Sequence, residues 1–493
     1  MMDATRQSEA LRPILVWFRN DLRLSDNPAL AAAVASGRPV IPVLVDDRSP
    51  ERRPRGAASA WWLDRSLDAL AQSLHARGSR LILRSGDATK VVLALVAETK
   101  AHAVYWNRLY AADQIARDSQ LKSTLRAAGV EVKSFNSALL VEPFEIVNGS
   151  GQPFKVFTPF WRAARGQIRG QMQIPPAAPT SDTLIAPAHW PSSETKADWR
   201  LSPQNPDWSQ GFVDWRPGEA GAQTALQVFL DRAADQYGAR RDYMADAATS
   251  RLSPHLAFGE IGTRQIWRAV MAAQERRPEA GASLDKFLSE IGWREFSHHL
   301  LYQFPDLERR AFKSSYDAFP WRSDPKALRA WKRGQTGYPL VDAGMRELWT
   351  TGYMHNRARM ICASFLVKHL LIDWRDGEAH FWDTLVDADR ANNAAGWQWV
   401  AGSGADAAPY FRIFSPMGQG ERFDAEGGYV RRWVPELARL PNGALHAPWL
   451  AEANVLQAAG VRLGETYPLP IVDHSYARQR ALDALASLKA ADA

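Results

Sequence analysis

The first chemical signal in the sequence is a segment that places a carboxylate, an indole and a guanidinium on one face of a helix. In SEIGWREF, Glu290, Trp293 and Arg294 stand at positions i, i+3 and i+4, which are neighbours on a helix surface. Two charged groups beside a tryptophan make a poor core, because a buried charge without a partner is costly. The segment therefore predicts either a polar surface patch or the lining of a binding site.

Two later segments repeat this mixture of polar and aromatic side chains. In MHNRARM, Asn356, Arg359 and Met360 share a helix face by the same spacing. In DADRANNAAGWQW, Asp387 and Asp389 are followed by two asparagines and two tryptophans, all within thirteen residues. Acidic and amide groups beside indoles suit a heteroaromatic ligand that offers both hydrogen bonds and a π-face. Each segment alone is weak evidence, but three of them in one region indicate a ligand site.

A further candidate lies at the predicted start of a helix in TSRLSPHL. Thr249, Ser250 and Ser253 supply three hydroxyl groups, and Ser253 before Pro254 has the pattern of an N-cap followed by proline at the first helical position. Unpaired N–H groups and the positive end of the helix dipole favour a phosphate there. From these residues alone, an ordinary capped helix is the better interpretation. The N-terminal region contains neither a GxGxxG sequence nor a P-loop, so the common glycine-rich phosphate loops are missing.

Two regions of different secondary structure must position these residues. In the first 140 residues, short β-branched or aromatic runs alternate with helical patterns. This alternation predicts an α/β domain with a Rossmann-like, mostly parallel sheet. The clearest helix, over residues 60–74, has an apolar face made of Leu63, Leu67, Leu70 and Leu74. The predicted strands are Ile14–Phe18, Pro39–Val45, Arg80–Leu83, Ala103–Trp106 and Val130–Phe135.

The chain divides into an α/β domain over residues 1–145, a proline-rich connector over 146–220 and an all-α domain over 221–493. Eight prolines stand between Gln171 and Pro217, which predicts a chain extended over the surface. In the all-α domain, Asp324 before Pro325 predicts a helix start. Gly334 and Gly352 predict helix ends.

The composition narrows the class of protein. Of 493 residues, 46% are hydrophobic and 23% are charged, which excludes wholesale disorder. No apolar run approaches the ~18 residues of a membrane span, and the N-terminus lacks a secretory signal, so we expect a cytoplasmic protein. The single cysteine, Cys362, excludes a disulfide scaffold and a cysteine-ligated cluster, and we expect no metal site. A net charge of +6 fits an ordinary solvated surface as well as polyanion binding.

Eight segments, in one order from residue 14 to residue 474, make the chain resemble the DNA photolyase/cryptochrome family, and most of all its bacterial cyclobutane pyrimidine dimer photolyases. They are VWFRNDLRLSDNPAL, FKVFTPFWRA, TSRLSPHLAFGEI, SEIGWREF, TGYPLVDAGMREL, YMHNRARMICASFLVKHLLIDWRDGE, DADRANNAAGWQWVAGSGADAAPYFRIFSP and YPLPIVDH. The resemblance implies an α/β antenna domain, a long connector and a helical domain that holds FAD in a folded conformation.

The resemblance also assigns cofactor and electron-transfer roles by position. The FAD phosphates and ribityl chain correspond to Tyr237, Thr249, Ser250, Leu252 and Ser253. The flavin rings and the adenine correspond to Arg294, Asn356, Arg359, Asp387 and Asp389. Asn393 is expected to face flavin N5, and an Arg359–Asp387 ion pair is expected because a desolvated charge needs a partner. The electron relay from the surface is assigned to Trp321, Trp374 and Trp397, while the remaining tryptophans outside the site are assigned to packing.

The implied reaction is light-driven electron transfer from reduced FAD, which splits cyclobutane pyrimidine dimers in UV-damaged DNA. The dimer is expected to be flipped out of the helix. The lesion cavity is assigned to Glu290, Trp293, Met360 and Trp399. Glu290 is expected to stabilise negative charge on the dimer, with desolvation favouring its protonated form. The DNA backbone contacts are assigned to Arg241, Arg357 and Arg412.

The antenna chromophore and the rival functions stay open. Asp113 and Gln114 stand where one branch of the family holds methenyltetrahydrofolate with an Asn-Glu pair. Methenyltetrahydrofolate, 8-hydroxydeazaflavin, another flavin or no antenna all remain alternatives. The chief rival is a cryptochrome-type photoreceptor, against which Asn393, Glu290, Met360 and the short segment after YPLPIVDH favour repair. A dark flavin oxidoreductase lacks a nicotinamide fingerprint, and a non-catalytic nucleic-acid-binding protein leaves the flavin residues unused. We expect a monomer.

Overall fold

The computed structural model of the chain describes residues 11–171, 175–407 and 411–491. The first ten residues, assigned above to the α/β domain, lie outside the described residues. The strands are β1 (Ile14–Phe18), β2 (Val40–Asp47), β3 (Ile82–Gly86), β4 (Ala103–Asn107) and β5 (Glu131–Phe135). The helices are α1 (Pro28–Ala35), α2 (Ala57–His75), α3 (Ala88–Thr99), α4 (Ala112–Ala127), α5 (Phe157–Gln171), α6 (Glu219–Arg232), α7 (Tyr237–Arg240), α8 (Ser253–Ala257), α9 (Thr263–Arg276), α10 (Gly281–Gln303), α11 (Pro325–Lys332), α12 (Pro339–Thr351), α13 (Asn356–Ser364), α14 (Trp374–Thr384), α15 (Arg390–Ala401), α16 (Pro416–Phe423), α17 (Gly428–Trp433), α18 (Asn442–Leu445), α19 (Ala453–Ala459) and α20 (His474–Ala491).

The five strands form one parallel sheet in the order β3-β2-β1-β4-β5. The central strand β1 pairs on both sides, with Ile14 opposite Val40 and Ala103. All its side chains are buried, as expected where helices cover both faces of a parallel sheet. Every predicted strand is present, although β2 begins after Pro39 and β3 begins at Ile82 rather than at Arg80. The predicted α/β fold is confirmed.

Helix α2 is the main cover on one face of the sheet. The leucines that predicted it are all buried in the cluster that also holds β1 and β2 side chains. The N-terminal end of α2 contacts the helical region. Ser59 Oγ donates a hydrogen bond to the Leu385 carbonyl there, at 3.2 Å. The α/β domain therefore lies directly against α14 and the segment that follows it.

The segment predicted as the connector 146–220 contains a long helix, and this differs from the prediction. Helix α5 lies entirely within it and packs against α10. The helix forms because large apolar residues recur at helical spacing, a signal overlooked beside the proline-rich stretch that follows. The buried positions are Phe157, Phe160, Trp161, Ala164 and Ile168.

The rest of the connector does run over the surface of the α/β domain. Residues 172–174 lie outside the described residues, and within 175–209 the helical structure is a single short turn at Lys196–Trp199. Its carbonyl and amide groups pair with the sheet region, where Val40 N donates to Ile185 O and Glu194 N to Leu83 O, both at 2.9 Å. The extended character predicted for this part is confirmed.

The helical region follows the predicted start and stop signals, with one exception. Asp324 accepts from Ala327 N at 2.9 Å and caps α11, and Gly352, with φ of 66°, ends α12. The exception is α8, which begins at Ser253 with Leu252 in the N-cap position, so no hydroxyl caps it. In the parts of the chain that the structure describes, no helix combines the length and apolar character needed to cross a membrane.

Candidate functional site

A cavity of about 540 Å³ opens between α10, α13 and α15, within the size range of small-molecule sites. The three polar segments of the sequence meet here, as the sequence analysis predicted. The lining includes these predicted site residues: Arg241, Glu290, Trp293, Asn356, Arg357, Arg359, Met360, Asp387, Asp389, Asn393, Trp397 and Trp399. Twelve predicted residues from α10, α13, α15 and loop segments therefore share one cavity.

The cap of α15 sets the position of the residues on that helix. Asp389 is the N-cap, and one of its carboxylate oxygens accepts from Asn392 N at 2.8 Å and from Asn392 Nδ2 at 2.9 Å. The small side chains of Ala391 and Ala394 are fully buried in the cluster shared with α10. These small side chains let α15 approach α10 closely. Asn393 and Trp397, on the same helix, then line the cavity.

Arg359 and Asp387 form the expected ion pair on the cavity wall. Arg359 Nη2 lies 2.7 Å from Asp387 Oδ2, and Arg359 Nε donates to the Met354 carbonyl at 2.7 Å. Burial alone would lower the pKa of Arg359, but the Asp387 carboxylate outweighs it and raises that pKa above its usual value. The second oxygen, Asp387 Oδ1, is buried with no hydrogen-bond partner among the described residues. An acceptor in this state calls for a donor from a bound molecule.

Asn393 is held by a single neighbour, Glu378. Its Nδ2 donates to Glu378 Oε1 at 2.8 Å and to the Glu378 carbonyl at 3.0 Å. A primary amide has two N–H donors, and both are used here. The amide oxygen Oδ1 therefore remains for a partner in the cavity.

An aromatic wall flanks the cavity on the α10 side. The Trp293 ring stacks on Phe157 of α5, with ring centroids 3.9 Å apart and planes inclined by 8°. Phe157 is itself fixed, since its backbone N–H donates to Asp406 Oδ2 at 3.2 Å in the loop that follows α15. One face of the Trp293 indole is thus covered by Phe157, while Trp293 also lines the cavity. Phe157 belongs to the helix that the sequence analysis missed.

The cavity rim carries paired charges. Arg241 contacts the Glu290 carboxylate, and Lys286 Nζ lies 3.4 Å from the same group. Arg357 Nη2 lies 2.6 Å from Asp242, and the side chains of Arg241 and Arg357 are only 12% and 13% exposed. Both guanidinium groups are therefore paired with carboxylates, and their assignment to DNA phosphates stays a prediction.

The same geometry places two cations beside the Glu290 carboxylate. The role expected for Glu290 toward the dimer stays a prediction. Lys286 stands four residues before Glu290, and this i,i+4 spacing could have identified it from the sequence. Of the three predicted DNA contacts, Arg412 is the exposed one.

The start of α13 is fixed by His355, whose Nδ1 accepts from Arg357 N at 3.1 Å. Burial lowers the pKa of His355 to about 4, so the ring is neutral and able to accept near neutral pH. His355 N in turn donates to Glu347 Oε2 at 3.1 Å. These contacts hold the helix end that carries Asn356, Arg357 and Met360 into the cavity.

The three relay tryptophans lie in or against one hydrophobic cluster. Trp397 lines the cavity and is buried, Trp374 is 1% exposed, and Trp321 packs against the cluster while remaining partly exposed. A Cβ added at Gly377 would lie 2.1 Å from Trp397 Cη2, which shows how closely α14 approaches α15. Trp331 is also in contact with Trp397, with ring centroids 6.1 Å apart.

Six predicted cofactor residues lie away from this cavity. Arg294 instead lines a second, smaller cavity of about 100 Å³ between the α/β and helical regions, although it was predicted to share a face with Glu290 and Trp293. The two cavities share Ala388 and Asp389 in their linings. Among the described residues, neither cavity is lined by Tyr237, Thr249, Ser250, Leu252 or Ser253.

The second cavity is where the predicted antenna residues lie. Gln114 lines it, and Asp113 binds Arg390 Nη1 at 2.8 Å from the α/β side. Arg52 and Arg55 line the cavity from the same domain. In the described part of the chain, no group of three or more His, Cys, Asp or Glu side chains is arranged to hold a metal ion.

Comparisons with known proteins agree over nearly the whole chain. Residues 14–180 match the family described as DNA photolyase, and residues 287–487 match the FAD binding domain of DNA photolyase. The chain is 53% identical over 478 residues to a deoxyribodipyrimidine photo-lyase of Agrobacterium fabrum, covering 97% of this chain and 98% of that protein. It is 40% identical over 489 residues to cryptochrome-1 of Arabidopsis thaliana, covering 96% of this chain and 70% of that protein. The crystal structure of a bacterial class III photolyase from Agrobacterium tumefaciens matches with a TM-score of 0.94 and 52% identity, over 99% of this chain and 100% of that chain.

Proposed function

The chain belongs to the DNA photolyase/cryptochrome family, and from this we propose that it is a deoxyribodipyrimidine photo-lyase. It is a carbon–carbon lyase that splits cyclobutane pyrimidine dimers in UV-damaged DNA. The observation that carries the proposal is the single cavity that joins Trp293, Trp399 and Glu290 to Asp387 and Asn393. The alternative, a cryptochrome-type photoreceptor, is favoured less because identity falls from 53% to the bacterial photo-lyase to 40% to the plant cryptochrome.

The residues of the cavity fit FAD. Asp387 Oδ1 and Trp397 Nε1 are a buried acceptor and a buried donor, each without a partner among the described residues. Asp387, Asn393 and Arg359 would hold the flavin, with Asn356 and Asp389 on the same cavity wall. When bound, FAD absorbs near-UV or blue light and supplies the electron that splits the dimer.

The remaining cavity residues suit a pyrimidine dimer. The Trp293 and Trp399 rings would pack against the two pyrimidine rings, and Met360 would fill the space beside them. Glu290, beside Arg241 and Lys286, lies in a group able to bind the carbonyl and imide edge and to stabilise negative charge. Asn356 and Met360 carry no titratable proton, so these two positions cannot transfer a proton to the lesion.

The DNA backbone, the antenna and the assembly complete the proposal. Arg412, which is exposed, is the residue we assign to a DNA phosphate, since a guanidinium binds phosphate oxygens well. We keep methenyltetrahydrofolate and 8-hydroxydeazaflavin as alternatives for an antenna at the second cavity. A monomer is sufficient because every site residue comes from one chain, and a cytoplasmic location is proposed because the substrate is cellular DNA.

The proposed function is tested by illuminating the purified protein with an oligonucleotide that contains a thymine dimer, under reducing conditions. We expect flavin absorption in the purified protein and loss of the dimer in the light, with no loss in a dark control. A protein without flavin contradicts the assignment of the cavity. Flavin without light-dependent loss of the dimer supports the cryptochrome alternative.

Replacing Phe157 with leucine tests whether the stacked pair supports the lesion wall. Leucine keeps apolar volume but removes the ring that covers Trp293, and an aromatic pair contributes about 1 kcal/mol beyond its buried area. We therefore expect dimer-containing DNA to bind about fivefold to tenfold more weakly, while FAD content stays unchanged. The control is Phe160→Leu on the same helix, because Phe160 packs on Phe296 and His299 instead. Equal binding by both variants would contradict a specific role for Phe157.

A further inference from the structure

Arg53, in the loop before α2, reaches across the domain junction to a helix of the other region. Its Nη1 donates to Glu378 Oε1 at 2.8 Å and its Nη2 to Glu378 Oε2 at 2.7 Å. This two-bond arrangement of guanidinium and carboxylate is the most directional form of ion pair. Arg53 Cζ also lies 4.2 Å from the centre of the Trp382 ring. The α/β domain therefore places a cation on Glu378, the residue that holds Asn393.

The loop that carries Arg53 is itself firmly docked. Trp382 Nε1 donates to the Pro54 carbonyl at 2.8 Å, and Ala57 N donates to Asp383 Oδ1 at 3.0 Å. At Gly56 the backbone of this loop lies so close to α14 that an added Cβ would clash with the Trp382 carbonyl oxygen. These contacts fix the direction from which Arg53 approaches α14.

Glu378 decides which way the Asn393 amide points. Its carbonyl and its Oε1 accept both N–H groups of Asn393, as described above. A flipped amide would place Oδ1 against these two acceptors, which loses both hydrogen bonds and brings oxygen atoms together. While Glu378 is a carboxylate, Asn393 therefore presents an acceptor to the cavity.

We propose that Arg53 is a positioning residue for the flavin site: its two hydrogen bonds fix the direction of the Glu378 side chain, so that Asn393 keeps its oxygen toward the cavity. The inference rests on the proposed function, since it assumes that FAD occupies the cavity. The Glu378 side chain is 6% exposed, so without Arg53 it would be a buried carboxylate lacking its cation. Such a group is destabilised, and it has lost the two hydrogen bonds that fix its direction. The Asn393 amide would then lose its fixed orientation.

Other charged groups around this pair act on it less directly. Glu308 Oε1 lies 3.5 Å from Arg53 Nη1, whereas Glu308 Oε2 is bound by Arg390 Nη2 at 2.5 Å. Burial lowers the pKa of His380, on the same helix as Glu378, to about 4, so it is neutral near pH 7. The other charged residues of that helix are Arg375, Asp376 and Asp383. Arg53 is the cation that the structure places directly on Glu378.

The test compares Arg53→Gln with Arg55→Gln, using FAD-loaded protein whose flavin has been reduced by light. Arg53 and Arg55 both line the smaller cavity, and either substitution removes one positive charge. Arg55, however, is directed at the Phe258 ring, with its Cζ 5.7 Å from the ring centre. We expect that in Arg53→Gln air oxidises the reduced flavin in the dark about tenfold faster at pH 7. This factor corresponds to the loss of about one hydrogen bond to a charged group.

A second variant separates positioning from general damage at the junction. In Arg53→Gln/Glu378→Gln, residue 378 carries no charge that needs a cation and still offers an amide oxygen to Asn393, so we expect the oxidation rate to return toward the wild-type rate. If Arg53→Gln behaves like Arg55→Gln while both bind FAD and repair dimers, the inference is wrong and the proposed function stands. If wild-type protein binds no FAD, the proposed function fails first. Thermal unfolding of each variant without FAD measures the structural contribution of Arg53 by itself.

Discussion

Replacing Asp387 with asparagine is expected to yield a folded protein that has lost most of its affinity for FAD. Asparagine keeps the shape of the side chain but removes the charge that pairs with Arg359 at 2.7 Å. It also alters the buried Asp387 oxygen that has no partner among the described residues. Losing one hydrogen bond to a charged group corresponds to about 100-fold in affinity at the upper end of its range. The measurement is the dissociation constant of FAD from the apoprotein, followed by flavin fluorescence.

The same substitution should also lower the free energy of unfolding of the apoprotein. Removing one partner of a buried ion pair costs about 3 kcal/mol, and the lower end of the range applies because a quarter of the Arg359 side chain is exposed. The double variant Arg359→Gln/Asp387→Asn should recover much of this stability, because no uncompensated charge remains, yet it should still bind FAD weakly.

The matched control for Asp387 is Asp383→Asn, four residues earlier in the chain. Asp383 is exposed, accepts from Ala57 N and lines neither of the two cavities described above. Its loss removes the same charge and should leave FAD affinity unchanged. If Asp387→Asn retains the wild-type affinity, the unpaired oxygen at Asp387 is not a flavin ligand.

The sequence predicted the fold because its determinants are local. The run Ile14–Phe18 is apolar throughout and became a strand buried on both faces, while the leucines of α2 recur at helical spacing. Helix α5 has the same kind of signal, with Phe157, Trp161 and Ile168 on its buried face, but the prolines that follow it directed the interpretation toward a connector. The helical spacing of apolar residues that forms α5 is therefore present in the sequence.

The polar contacts of the site were not predictable in this way. The spacing within SEIGWREF and DADRANNAAGWQW predicted which residues share a face, and Glu290, Trp293 and Asp387 do line one cavity. The ion-pair partner of an arginine is decided by tertiary packing, so the sequence could not show that Arg241 would bind Glu290. Arg53 and Glu378 are 325 positions apart, and only the docked domains bring them together.

The residues that were assigned roles in the flavin site do not all lie at the same cavity. Arg359 and Asp387 were expected to pair because a desolvated charge needs a partner, and they do. Thr249, Ser250 and Ser253 were moved from capping to cofactor binding by resemblance, and within the described residues they do not line either cavity. Their role stays a prediction, whereas Asn393 and Trp397, also assigned by resemblance, do line the larger cavity.

The second large effect is expected from Trp374→Phe, which should reduce light-driven reduction of oxidised FAD to the level of a dark sample. Phenylalanine fills most of the buried space but lacks the readily oxidised indole. Trp374 is 1% exposed and lies in the same cluster as Trp397, which lines the cavity, and Trp321, which is partly exposed. The measurement is the change in flavin absorption during illumination with an external electron donor. Protein reduced chemically beforehand should still repair dimers, since the relay only prepares the flavin.

Trp331→Phe is the control that makes this result specific. Trp331 is fully buried in the same cluster, touches Trp397 edge to face and donates through Nε1 to the Cys362 carbonyl at 2.9 Å. If its role is packing, Trp331→Phe should be less stable but should photoreduce its flavin at the wild-type rate. Loss of photoreduction in Trp331→Phe together with its retention in Trp374→Phe would mean that electrons leave Trp397 through Trp331. The assignment of Trp374 and Trp321 would then be wrong, although both variants retained FAD and repaired dimers after chemical reduction.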